Sequence, residues 1–165
     1  MVKTTHIMGG VAFALAIPLI TPINEAAPLV ALTLSAGVAA LLPDIDKKNT
    51  AISNKHKLVS FVFRLFCTHR GFTHSLLALF LFAGITLPLS TLPYIGRYIY
   101  MGLVLGYFSH LILDMLNPDG VPVLFPLKYR LSLMKIKTGH IGEYLFRVVL
   151  AAIIVLEVVN GNKIL

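Results

Sequence analysis

The sequence contains little charge and almost no cysteine. Only 13% of its 165 residues are charged, whereas soluble globular domains carry about 25%. Hydrophobic residues make up 57% of the chain, and the mean hydropathy is +0.85. A single cysteine, Cys67, excludes both an internal disulfide and a Cys-x-x-Cys zinc site. The composition therefore indicates a membrane protein in which His, Asp and Glu would have to hold any metal.

Long apolar runs account for most of the chain. Five of them approach the length of about 20 residues that a helix needs to cross a hydrocarbon core. They cover residues 7–23, 28–42, 75–92, 98–116 and 143–159. A further apolar piece, 58–67, is too short to cross and predicts an interfacial helix. The predicted fold is all-α: a single integral membrane domain over 1–165, a polytopic helical bundle with about five transmembrane helices and a short interfacial helix.

The basic residues predict the orientation of this bundle. The net charge is +7, and most of the lysines and arginines fall between the second and third runs or between the fourth and fifth. By the positive-inside rule, the amino terminus and both of these segments face the cytoplasm. The expected location is a bacterial-type inner membrane. The basic surface is expected to contact anionic membrane lipids, and no nucleic-acid partner is predicted.

Ionisable residues recur at the cytoplasmic ends of the apolar runs. Because successive runs alternate in direction, these residues are predicted to meet at one level of the membrane. They are His6, Asp44, Asp46, His69, His74, His110, Asp114, His140 and Glu143. Acids at helix carboxyl ends and cationic histidines at amino ends oppose the helix dipole, by about 0.3–1 kcal/mol each. A bound cation would compensate for the acids and keep the histidines neutral.

His110 and Asp114 give the strongest single signal. Their spacing of four places both on one face of a helix. They lie in an otherwise apolar run, where ionisable residues are costly and point to function. Tyr107 and Ser109 are expected to supply supporting hydrogen bonds, and Thr73 is expected to cap the helix that follows it.

Several stretches carry a family resemblance. They are LLPDID at 41–46, HRGFTHSLL at 69–77, GYFSH at 106–110, NP at 117–118 and GVP at 120–122. In this order they resemble the YdjM family, described as LexA-regulated, inner-membrane, metal-dependent hydrolases related to zinc-dependent phospholipase C. The resemblance implies metal ligands at the matching positions: His6, Asp44, His74, His110, Asp114 and Glu143, with Asp46 and His69 as further candidates.

The predicted chemistry is metal-dependent hydrolysis of a phosphoester in a phospholipid or other phosphorylated lipid. Two or more divalent ions are expected; zinc fits best, with manganese or iron as alternatives. Asp46 is the candidate general base, and Arg70 could neutralise a phosphate. The main rival is a divalent-cation transporter or metal-binding sensor, although transporters place such residues near the membrane midplane. Haem ligation would leave the acids unexplained, and a purely structural bundle would leave them buried at a cost.

Overall fold

Five α-helices form most of the regular structure in the part of the chain that the structure describes. The computed structural model describes residues 1–18, 23, 25–46, 71–127 and 129–161. Its helices are α1 (Lys3–Leu15), α2 (Ala26–Ala39), α3 (Leu76–Thr86), α4 (Gly96–Met115) and α5 (Ile141–Gly161). Short 3-10 helices cover Leu42–Asp46, Phe72–His74 and Leu87–Thr91. The all-α prediction is confirmed for the part of the chain that the structure describes.

Within the described residues, two stretches are long and apolar enough to cross a membrane, namely Ala26–Ile45 and Gly96–Met115. The α1 and α3 helices have only 13 and 11 residues, and α5 has 21 residues but contains Glu143, Arg147 and Glu157. The prediction of five spans is therefore supported by length and composition for two, and for the others it stays a prediction. The predicted interfacial helix at 58–67 lies outside the described residues.

Proline explains why the first helix is shorter than its apolar run. The run extends to residue 23, but α1 ends at Leu15, shortly before Pro18. A proline disfavours the helical conformation of the residue before it, and it donates no backbone hydrogen bond. In α2, by contrast, Pro28 lies in the first turn, where its missing N–H has no partner to lose.

Glycine allows α2 and α4 to pack with their backbones in close contact. A Cβ atom on Gly102 would collide with the Leu32 carbonyl oxygen, and one on Gly106 would collide with that of Ala36. The pairing advances in the same direction along both helices, so α2 and α4 are parallel. Such close approach between helices depends on small residues. It brings the carboxyl ends of α2 and α4 to the same end of the molecule.

The α1 helix completes this core and runs antiparallel to α2. A Cβ atom on Gly10 would lie 2.7 Å from the Ala36 carbonyl oxygen, while Ala14 packs with Leu32 one turn earlier in α2. The amino end of α1 therefore lies beside the carboxyl ends of α2 and α4. This arrangement sets the position of the candidate site.

The α3 helix begins at this same end. Ser75 is its cap, because the Ser75 hydroxyl accepts a hydrogen bond from the Ala78 N–H at 3.2 Å. The prediction that Thr73 caps this helix was wrong, since Thr73 lies in the preceding 3-10 helix. The Phe82 ring stacks on Tyr107 with centroids 5.0 Å apart, which joins α3 to α4.

Candidate metal centre

Five of the predicted site residues meet where these helix ends converge. His6 is in the first turn of α1, His74 directly precedes α3, and His110 and Asp114 occupy the last two turns of α4. Asp44 lies in the 3-10 helix that follows α2. The three histidines and Asp114 are buried, whereas the Asp44 side chain is 16% exposed. Asp44 is therefore the most accessible member of the cluster.

Asp114 lies at the centre of this cluster. Its Oδ1 is 3.4 Å from His6 Nε2, and its Oδ2 is 3.6 Å from His74 Nε2 and 3.7 Å from His110 Nε2. Asp44 Oδ1 is 3.8 Å from His74 Nε2. The three histidines thus direct a ring nitrogen towards the Asp114 carboxylate, and Asp44 directs a carboxylate oxygen towards His74.

These donor atoms are spaced as metal ligands are. Ligands about 2.0–2.2 Å from a tetrahedral zinc ion lie about 3.3–3.6 Å from one another. Two sets of three have potential ligand atoms that all lie within 4.8 Å of one another: His6, Asp44 and His110, and His74, His110 and Asp114. The residues present therefore fit a divalent metal ion, and His110 belongs to both sets.

The protonation state of His110 is set by a backbone carbonyl. His110 Nδ1 lies 2.7 Å from the Ala40 carbonyl oxygen, which can only accept, so Nδ1 carries the hydrogen and donates it. In the neutral ring, Nε2 then presents a lone pair to the cluster. His74 Nε2 faces it at 3.3 Å. A cation between these two nitrogens would bind the lone pair that the His110 tautomer provides.

His6 is the member whose polar atoms are least satisfied. Its side chain is 1% exposed, and among the described residues neither of its ring nitrogens has a hydrogen-bond partner. Its ring stacks on His110 with centroids 3.8 Å apart and an interplanar angle of 12°. Within the described residues, His6 Nε2 has only its 3.4 Å contact with Asp114 Oδ1, and a buried ring nitrogen that makes no hydrogen bond is costly, so metal ligation would lower that cost.

A hydrogen-bond chain supports His74. Tyr107 Oη donates to the Thr73 carbonyl oxygen at 2.6 Å, and Thr73 Oγ1 lies 3.0 Å from His74 Nδ1. The expected supporting role of Tyr107 therefore has a structural basis. Ser109 differs from that expectation, because its hydroxyl donates to the Gly106 carbonyl oxygen of its own helix.

Glu143 lies at the amino end of α1. Its Oε1 accepts hydrogen bonds from the Val2 N–H at 2.6 Å and the Thr5 hydroxyl at 2.7 Å. Its Oε2 accepts from the Gly139 N–H at 2.7 Å. Glu143 belongs to neither set of potential ligands described above. Its role as a ligand stays a prediction, while the observed contacts fasten the start of α1 to the start of α5.

The positively charged amino group of Met1 lies beside Asp114. The amino group of Met1 donates to Asp114 Oδ1 at 2.9 Å, and both groups are buried. The Glu143 contacts to Val2 and Thr5 hold this segment in place. The central carboxylate thus has a positively charged neighbour on one oxygen, while its other oxygen faces His74 and His110.

Three predicted residues have no described side chain. Asp46 ends the 3-10 helix at Leu42–Asp46, and the position of its side chain is not described. His69 and Arg70 lie outside the described residues. Their predicted roles as general base, ligand and phosphate contact stay predictions.

Sequence reasoning missed two groups that support the site. The Ala40 carbonyl orients His110, and Thr5 holds Glu143. No side-chain pattern could reveal a backbone carbonyl. Thr5 carried a weak signal, as a hydroxyl in the first turn of an apolar helix next to a candidate ligand.

The fold and site define an all-α protein with two potential membrane spans and a buried His/Asp cluster suited to a metal ion. The chain belongs to the YdjM inner membrane protein family, which matches residues 1–164. It is 40% identical over 125 residues to the Inner membrane protein YdjM of Escherichia coli (strain K12) and to that of Shigella flexneri.

These two alignments cover 75% of this chain and 63% of each relative, less than two thirds of their length. A third relative, the Uncharacterized protein YvsG of Bacillus subtilis (strain 168), is 38% identical over 147 residues. That alignment covers 88% of this chain and 86% of the relative. No solved structure matches the chain.

Proposed function

We propose that this protein is a membrane-bound, metal-dependent hydrolase of a phosphoester in a phospholipid or other phosphorylated lipid. One observation carries the proposal: five His and Asp side chains from four helix ends form two overlapping sets of potential metal ligands, and the ring nitrogens of His6 make no hydrogen bond within the described structure. Buried ionisable residues in a membrane protein are expensive and mark functional sites. The proposed location is the cytoplasmic face of the inner membrane.

The donor set favours zinc as the metal. Imidazole nitrogens and carboxylate oxygens together suit zinc, while manganese and iron accept the same ligands. We propose His6, His74, His110, Asp114 and Asp44 as ligands. The two sets share His110, whose Nε2 offers a single lone pair, so a second ion would need ligands other than His110. A divalent ion would supply Lewis acidity to polarise a phosphoryl oxygen and to make water more acidic.

The residues of the chain itself would orient and admit the substrate. The Ala40 carbonyl and the Thr73 hydroxyl hold the His110 and His74 rings in place, so the site is organised before a substrate arrives. The partial exposure of Asp44 marks the side from which a phosphate could enter. Asp46 follows Asp44 by two residues and remains our candidate general base, and Arg70 our candidate phosphate contact.

A lipid substrate follows from the surroundings of the site. Two of the three relatives are named inner membrane proteins, and the cluster lies at the ends of apolar helices rather than midway along them. A headgroup could reach such a site without leaving the membrane surface. This placement also favours a hydrolase over a transporter, whose sites lie near the midplane.

The experiment is a lipid hydrolysis screen with detergent-purified protein. We expect release of a phosphorylated headgroup or phosphate by the parent, loss of at least a hundredfold in His110→Ala, and no change in His140→Ala. His140 is an exposed histidine outside the cluster, so it controls for loss of an imidazole. A metal-loaded parent that hydrolyses no lipid, yet carries zinc into liposomes in a His110-dependent way, would contradict the proposal.

A further inference from the structure

An apolar cavity of about 250 Å³ lies beside the candidate metal centre. One wall is a face of α3 formed by Ala78, Leu81, Phe82 and Ile85. These positions follow the spacing of one helix face, and from the first to the last they extend about 10 Å along the helix axis. The cavity is therefore elongated along α3.

One end of the cavity adjoins the cluster. Thr73 lines it, and Thr73 Oγ1 is 3.0 Å from His74 Nδ1. Leu42 and Ile45 also line it, on either side of Asp44 in the sequence. The end of the cavity where α3 begins is thus lined by residues that adjoin His74 and Asp44, and apolar side chains line most of the rest of its length.

The other end opens towards an apolar outer surface. Leu81 and Ile85 line the cavity and are 50% and 78% exposed, and the neighbouring Phe80 is 69% exposed. In an inner membrane protein, exposed side chains of this kind contact lipid acyl chains. A lipid chain could therefore pass from the membrane into the cavity along α3 while its headgroup stays near the cluster.

We propose that this cavity binds one acyl chain of a phospholipid whose phosphorylated headgroup lies at the candidate metal centre. The chemistry of the cavity matches that occupant, because the apolar cavity adjoins the candidate metal centre at one end. The headgroup position rests on the proposed function. Binding of the acyl chain can be tested without hydrolysis.

The test is native mass spectrometry of the detergent-purified protein titrated with phosphatidylglycerol. We expect one long-chain lipid to bind, and dihexanoyl phosphatidylglycerol to bind at least tenfold more weakly. Ala78→Phe should fill the cavity and weaken long-chain binding at least tenfold. Gly84→Phe is the matched control, because Gly84 lies on the same helix and a Cβ there meets nothing within 4 Å.

A second variant guards against misfolding of Ala78→Phe. Leu81→Trp changes a half-exposed wall position and should weaken long-chain binding while the protein stays folded. Equal affinity in the parent, Ala78→Phe and Leu81→Trp would overturn the proposal. Tight binding of the short-chain lipid would also overturn it. So would binding of palmitate but not of phosphatidylglycerol, or a folded parent that binds no lipid.

His110→Ala separates this proposal from the proposed function. If the cavity binds an acyl chain, this variant should keep its preference for long-chain over short-chain lipid even where no hydrolysis is detected. If the folded parent hydrolyses lipid but binds long-chain and short-chain lipids equally well, that result would contradict the cavity proposal alone.

Discussion

The two halves of α4 contact the same neighbouring helix, α2, in different ways. The first half packs on α2 through Gly102, with no room for a side chain. The second half places His110 and Asp114 against the end of α2, where the Ala40 carbonyl holds the histidine. The first arrangement gives close packing, and the second buries polar groups that an apolar core would not need. The difference separates a part of α4 that only packs on α2 from a part that also carries residues of the candidate metal centre.

The largest expected effect comes from the packing half. Gly102→Leu would drive a side chain into the Ser35 hydroxyl and into the Leu32 carbonyl oxygen, and this backbone atom cannot move away without separating the helices. We expect a loss of about 3 kcal/mol or more in the free energy of unfolding. Thermal unfolding in detergent measures it. Gly84→Leu, which meets open space, is the control, and equal stability of the two variants would refute the packing account.

Metal removal should give the next largest effect. A ligand that binds only the folded state at 100 times its Kd stabilises it by about 2.7 kcal/mol. A chelator should therefore lower the unfolding temperature of the parent and leave that of Asp114→Ala unchanged. If the chelator shifted both proteins equally, the stabilising ion would lie outside this cluster.

Removal of the Glu143 carboxylate tests the attachment of α1 to α5. Glu143→Ala leaves the Val2 and Gly139 N–H groups and the Thr5 hydroxyl without their acceptor. The expected loss is about 2 kcal/mol. Hydrogen exchange should show faster opening of residues 1–15 than in the parent. Loss of metal with unchanged exchange would instead support Glu143 as a ligand.

The smallest effect concerns the support of His74. Tyr107→Phe removes the hydrogen bond to the Thr73 carbonyl oxygen, with an expected loss of about 1 kcal/mol. Metal affinity should fall by about tenfold, as is usual when a supporting hydrogen bond is removed. Ser109→Ala is the matched control, since its hydroxyl bonds only within α4 in the described contacts. Equal affinities in both variants would argue against the support chain.

The sequence predicts the site better than the extent of the helices. The alternation of apolar runs predicts that His6, Asp44, His74, His110 and Asp114 lie close together, and the structure brings them together in two overlapping sets of potential ligands. The predicted depth of a residue does not determine the direction in which its side chain points around the helix axis. Glu143 lies beside the start of α1, and its carboxylate accepts a hydrogen bond from the Val2 N–H, a contact that only the packing of α1 on α5 determines.

Local chemistry explains the other differences. Hydropathy continues through residue 23, but Pro18 follows closely after the end of α1. Thr73 and Ser75 are equally good caps by residue type, and the Phe72–His74 turn places Ser75 at the start of α3. The roles of Asp46, His69 and Arg70 rest on the sequence alone.

The most direct test of the central claim is elemental analysis by mass spectrometry of protein purified without a metal-binding tag. The parent and His140→Ala should carry near-stoichiometric zinc, manganese or iron, and His110→Ala and Asp114→Ala should lose it. A folded parent that holds no metal, even after resupply, would contradict the claim that this cluster is a metal centre.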